Sequence, residues 1–209
     1  MAIRPAWSGP IIETVIDREL GRNPELRRGT AAYATLLQAY QASGNLVALK
    51  DGVFDHAAQL YISANGGQSA LMTFNDGSAD FLFDRQHDRT VLVWGVSRTV
   101  AAHSRDNAYH AGYPVAGPDL DKGHAWSHAQ GGREGGPNYF RQARRLNQSR
   151  SDNGRLWRGI ETYLASNAGT PAFIRLAYAS GTVSDQPAEV EYGVLPRTGQ
   201  FRAVIFPNS

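Results

Sequence analysis

The chain reads as an α+β protein: a mixed or antiparallel sheet, an N-terminal helical extension, and a ββα unit in the C-terminal half. Three observations predict this. Two segments near the N-terminus space their apolar residues about 3.6 apart, the period of an amphipathic helix. Most later apolar runs are short or alternating and end at turn-forming residues, the mark of antiparallel strands. Between residues 118 and 166, a β-run, a Gly-rich turn, a second β-run and a helical stretch follow one another.

In chain order, residues 11–21 (IIETVIDRELG) and 25–43 (ELRRGTAAYATLLQAYQAS) are the two expected helices, each with Gly at or beyond its end. From Leu46 to Val100 the runs QLYISANGG, SALMTFNDGS, ADFLFDRQHD and TVLVWGV predict a sheet, with NGG and NDG as hairpin turns. Residues 103–120 carry Gly, Pro, Asn and Asp throughout and are expected to be a long surface loop, a kind of segment that is usually functional. HAWSHAQ, the turn GGREGGP, the strand NYFRQ and a helix near Gly154–Ala165 follow, and the strands FIRLAYAS, AEVEYGVL and FRAVIFP end the chain. No repeat or linker interrupts it. Residues 1–45 are therefore expected as a helical extension and 46–209 as one domain, with a core at about 118–166.

Composition narrows the function. With no cysteine, a disulfide scaffold, an iron–sulfur cluster, a thiolate zinc site and a cysteine nucleophile are excluded. No run of about 18 apolar residues is present, so no membrane span is expected. The opening residues lack the pattern of a signal peptide, which leaves the location open between a cytoplasmic protein and a delivered effector. The formal net charge is only +2, yet Asp121–Arg158 holds eight basic against three acidic side chains, a local balance of +5. Such a block attracts phosphate, and nineteen of the 21 basic residues are Arg, whose planar fork binds phosphate oxygens bidentately. A solvated Arg-rich face reads equally well from charge alone.

The ββα unit places His124 on its first β-run, with Asn147, Asn153 and Glu161 following within 40 residues. Attack of water on phosphorus needs a base that is neutral near pH 7, and His is the natural choice. It also needs a hard cation to offset the charge of the phosphorane, and Mg²⁺ keeps most of its waters and takes one or two oxygen donors.

On these residues the chain resembles the nonspecific DNA/RNA endonucleases, the ββα-metal or His-Me finger nucleases. Asp121-Lys122-Gly123-His124 is similar to their DRGH motif, and Asn138-Tyr139-Phe140-Arg141-Gln142 to their N-[YL]-x-x-Q strand. The spacing Gln142-x4-Asn147 matches that from the Gln to the metal-binding Asn, and Trp157 and Glu161 resemble the aromatic and the glutamate of the metal helix. Glu191-Tyr192-Gly193-Val194-Leu195 resembles a tail found after this core in nuclease domains of bacterial toxin-like proteins. The resemblance covers about 118–209 and departs at three points. Lys122 replaces Arg, Arg141 stands where Pro is common, and Glu161 follows Asn147 by fourteen residues instead of about two turns.

The resemblance implies a ββα-metal core and a largely sequence-nonspecific, metal-dependent endonuclease acting on DNA and also RNA. In it His124 is the base and Lys122 and Arg144 offset developing charge, with Arg145 and Arg98 as other candidates. Asp121 orients the region of the histidine, and Asn147 holds Mg²⁺ (or Mn²⁺), with Glu161 acting through water. A toxin effector would imply an immunity or inhibitor protein as partner. Asn153, Trp157 and Glu161 lie at i, i+4 and i+8 and define a rival metal register, in which Asn147 gives way to Asn153; Asn153 also reads as a turn or N-cap residue. His128, four residues after His124 on the same expected strand face, is a structural histidine or a substrate contact. His103 and His110 are surface-loop histidines, and Trp94 and Trp126 core residues. The alternative to an enzyme is a catalytically degenerate His-Me finger that binds nucleic acid or a protein through its basic face.

Overall fold

The computed structural model describes residues 11–65, 70–100, 117–196 and 199–209. The chain is α+β, and all strand pairings among the described residues are antiparallel. The described residues open with α1 (Ile12–Arg22), which buries Ile12 and Ile16 one turn apart. The expected second helix starts late: its first residues form a short strand, β1 (Arg27–Arg28), and α2 occupies Ala32–Ser43, closed by Gly44.

A third helix, α3 (Leu46–Ala64), stands where the sequence predicts the start of the sheet. Its buried residues Leu49, Val53, Ala57 and Tyr61 follow one helical stripe, and the Asn45 side chain caps it by accepting from the Ala48 amide at 3.1 Å. The β-rich look of QLYIS is overridden because it ends a capped 19-residue helix whose apolar stripe, Leu49 to Tyr61, is buried along its length. No described helix is long and apolar enough to cross a membrane.

The strands follow as expected: β2 (Leu71–Asn75), β3 (Asp80–Asp84) and β4 (Arg89–Val96). Then come β5 (Leu120–His124), β6 (Tyr139–Ala143), a single turn α4 (Arg144–Asn147), α5 (Asp152–Ser166), β7 (Pro171–Ala177), β8 (Glu189–Val194) and β9 (Arg202–Pro207). The expected loop at 103–120, with His103 and His110, lies outside the described residues except for 117–120, where Leu120 already opens β5.

Among the described residues, seven strands form one sheet in the order β1-β9-β8-β7-β4-β3-β2, and β5-β6 form a separate ribbon. Pairing of β1 with β9 makes the N-terminal segment an edge of the main sheet. Side-chain alternation then sorts the layers. On β7, Phe173 meets Tyr33 of α2 at 4.5 Å between ring centroids, so α2 lies on that face. Tyr192 pairs with Ile174 and points to the opposite face, where it meets Trp157 of α5 at 4.9 Å. Trp126, fully buried after β5, covers Gly95 on the same face; a Cβ at Gly95 would stand 2.5 Å from the indole. The sheet is thus a middle layer between a helical layer and the β5-β6-α5 unit. Trp157, Phe206 and Tyr192 bind that unit down, each large side chain stabilising by roughly 1.5–3 kcal/mol when buried.

Candidate functional site

The DKGH segment is β5, in register with NYFRQ: Asp121 faces Gln142, Lys122 faces Arg141, Gly123 faces Phe140 and His124 faces Tyr139. Gly123 is required by packing. A Cβ there would lie 2.3 Å from Oε1 and 2.7 Å from Cβ of the buried Gln142. Alternation places Asp121, Gly123, Gln142 and Phe140 on one face of the ribbon, and Phe140 packs there against Trp157 of α5. Lys122, His124, Arg141 and Tyr139 share the other face.

On the first face, Asp121 organises α4. Its Oδ1 accepts from Arg144 Nε at 3.0 Å, and its Oδ2 accepts from Asn147 Nδ2 at 3.1 Å and Gln148 Nε2 at 2.7 Å. Burial is the largest single influence on the Asp121 carboxyl and acts to raise its pKa. The hydrogen bonds from Asn147, Arg144 and Gln148, with the Arg144 charge, outweigh it and hold the group below the usual carboxylate value. An ionised carboxylate only accepts, so Asn147 must present its NH₂ to Asp121 and turn Oδ1 the other way. Arg144 also donates to the Gly117 and Leu120 carbonyls, so its guanidinium clamps the start of β5 as well as facing outward.

On the second face, His124 Nε2 lies 3.0 Å from Glu134 Oε2, and the Tyr139 hydroxyl donates to the same carboxylate oxygen. The rings of His124 and Tyr139 meet edge to face at 4.8 Å, and Lys122 Nζ stands 5.0 Å over the Tyr139 ring. Burial lowers the Lys122 pKa, which the Glu134 charge opposes. Glu134 comes from the GGREGGP turn. Asn138 shapes that turn by donating to the Arg133 carbonyl at 2.8 Å and the Trp126 carbonyl at 2.9 Å, while Arg133 anchors it to the β2-β3 turn through the Asp76 carbonyl at 2.9 Å. Sequence reasoning missed Glu134. The signal was an acid inside a glycine-rich turn between the two β-runs, but only the folded turn carries it back to His124.

The remaining candidates fall elsewhere. Glu161 is buried, accepting from Trp157 Nε1 at 3.1 Å and paired with Arg158 at 2.8 Å; Arg158 in turn reaches the Asn147 carbonyl at 3.4 Å. Asn153 is buried at the start of α5, its Oδ1 accepting from Asn23 and its Nδ2 donating to Glu25. Arg98 Nη1 donates to the Gly77 carbonyl at 3.3 Å, and Arg145 Nε to the Ser209 carbonyl at 2.9 Å. His128 does not share a strand face with His124, because β5 ends at His124 and His128 opens a 3₁₀ turn capped by Ser127. Trp94 and Trp126 are core, as expected.

The structure therefore joins Asp121, Arg144 and Asn147 in one group and His124, Lys122, Tyr139 and Glu134 in another, at opposite ends and faces of a five-residue strand. Among the described residues no three His, Asp or Glu side chains stand close enough together to hold a metal ion. The donor chemistry still fits a largely hydrated Mg²⁺ taking one protein oxygen, Asn147 Oδ1, since that ion keeps several waters. No protein-family model matches the chain, and no curated protein is similar enough to it to count as a relative.

Proposed function

We propose that the chain is a metal-dependent, largely sequence-nonspecific endonuclease with a ββα-metal core, hydrolysing phosphodiester bonds of DNA and RNA as a bacterial toxin effector domain. The observation that carries this reading is that one short strand, β5, bears both a carboxylate that takes the Asn147 NH₂ group, leaving its oxygen to other partners, and a histidine held against a carboxylate. His124 takes the proton of the attacking water. Lys122 and the outward-facing part of Arg144 offset charge that develops on the phosphate. Asn147 would hold Mg²⁺ or Mn²⁺ and Glu161 would act through water; the cation, when bound, neutralises charge on phosphorus and the leaving 3′ oxygen. Cleavage leaves 5′-phosphate and 3′-hydroxyl ends. The basic block from Asp121 to Arg158 supports a polyanionic substrate, and an acidic immunity protein is the partner that block would accept.

A second reading has its own support. The separation of His124 from Asn147 across the two faces of the ribbon favours a degenerate finger that binds nucleic acid or a protein without cutting. A supercoiled-plasmid assay separates the two. Nicking with Mg²⁺ that vanishes in EDTA and in His124→Ala, with DNA affinity retained, supports the nuclease. Binding without nicking in Mg²⁺ and in Mn²⁺ supports the binding module.

A further inference from the structure

We propose that Glu134 is the positioning residue of His124: it accepts the Nε2–H bond and so makes Nδ1 the atom of the imidazole that takes the proton. The use in catalysis rests on the nuclease reading; the assignment of the tautomer does not.

The geometry has three parts. His124 Nε2 and Glu134 Oε2 are 3.0 Å apart, with both side chains about nine-tenths buried, at 12% and 8% exposed. An ionised carboxylate has no hydrogen to give, so in the neutral ring Nε2 must carry the hydrogen and the lone pair resides on Nδ1. The Tyr139 hydroxyl donates to that same Oε2, and the edge-to-face contact of the two rings at 4.8 Å holds the imidazole from the neighbouring strand. Carboxylate and ring contact together fix both the tautomer and the ring plane.

The turn that presents Glu134 is built for the purpose. Asn138 ties its start to the Trp126 and Arg133 carbonyls, and Trp126 is fully buried against Gly95 of the main sheet. Glu134 is thereby fixed to the rigid sheet and not to a free loop, which orienting a base demands. In the reaction Nδ1 would accept one proton of water as its oxygen bonds to phosphorus and the P–O3′ bond breaks, the departing 3′ oxygen taking a proton from solvent; Glu134 would stabilise the imidazolium that forms without taking a proton itself.

The test uses the full chain with ¹⁵N-labelled histidine, the His124 signals being identified by their loss in His124→Gln. Long-range ¹H–¹⁵N correlation of the neutral ring should show Nε2 protonated and Nδ1 bare in the wild type, and a mixture of tautomers in Glu134→Ala. In parallel, plasmid hydrolysis by Glu134→Ala should lose kcat by at least about tenfold, part of the roughly 10²–10⁴-fold a general base supplies, at unchanged KM. Glu134→Gln, whose amide oxygen still accepts from Nε2, should recover part of it. A wild-type ring protonated at Nδ1, or tautomers unchanged in a folded Glu134→Ala, overturns the assignment. A wild type that shows the expected tautomer but cuts no plasmid overturns the nuclease reading alone.

Discussion

Asn153 donates through Nδ2 to Glu25 Oε2 at 2.8 Å, a bond between residues 128 apart in sequence that fastens the first turn of α5 to the segment joining α1 and β1. With its Oδ1 taken by Asn23, the amide is satisfied at both ends inside the protein, whereas Asn147 lies beside Asp121 on β5. Asn153→Ala should accordingly lower stability by about 1–3 kcal/mol, the cost of stranding buried polar partners, and leave plasmid cleavage intact. Asn147→Ala should keep the fold and lose Mg²⁺-dependent turnover. Urea denaturation and the plasmid assay, run on both variants, read the two effects separately; a dead Asn153→Ala with a wild-type melting curve would move the metal register to Asn153.

Gly123 and Gln142 offer a packing test. Gly123→Ala forces its Cβ against a buried side chain on the neighbouring strand and should cost roughly 1–3 kcal/mol, as overpacking does. Removing the Gln142 Cβ together with its amide relieves the clash, so Gly123→Ala combined with Gln142→Gly should be less destabilised than the sum of the single variants. Additive losses in a double-mutant cycle would refute this contact.

Acid should weaken the fold through Asp84. Burial is the strongest influence on its carboxyl and raises its pKa, but the Tyr61 hydroxyl, His87 and the Gln86 amide hydrogen-bond to the ionised form and prevail, leaving the folded value below the ordinary one. A group depressed in the folded state contributes its full stabilisation above the unfolded pKa, about 3.9, and loses it as pH falls through the lower folded value. The urea midpoint should therefore drop below about pH 4 in the wild type and less steeply in Asp84→Asn. Parallel pH profiles for the two proteins would show that Asp84 is not involved.

On the proposed reading, nucleic-acid affinity should fall steeply with salt and depend little on sequence, because contacts to phosphate carry no base information. Arg150 and Arg145 are exposed on the loop and turn around α4, and Arg145→Glu or Arg150→Glu should weaken every DNA alike while reducing the salt slope by about one. Arg144→Glu should do more, since its guanidinium also holds Asp121 and the start of β5 and its loss disturbs the fold as well as the charge. Fluorescence anisotropy at several salt concentrations on two unrelated duplexes measures both; a salt-insensitive or base-selective affinity would contradict phosphate binding.

How much was legible in the sequence differs between fold and site. Local patterns sufficed for most strands and for α1 and α5, because alternation, turn residues and caps act over a few residues and nothing distant opposes them. They failed at α3, where a β-branched and aromatic end outweighed, on reading, a helical stripe that the sheet face stabilises. The order β1-β9-β8-β7-β4-β3-β2 lay beyond local pattern, since Arg27 pairs with Ile205 only after the intervening chain has folded. For the site, the residue types and spacing of Asp121, His124 and Asn147 were readable because motif chemistry is local. Tertiary structure alone decided that Asn153 serves the N-terminal segment, that Asp121 accepts from the Asn147 amide, and that Glu134 meets His124. Each of these depends on a hydrogen bond between side chains brought together from different elements, and such a bond forms only where packing of the whole sheet has removed the competing water.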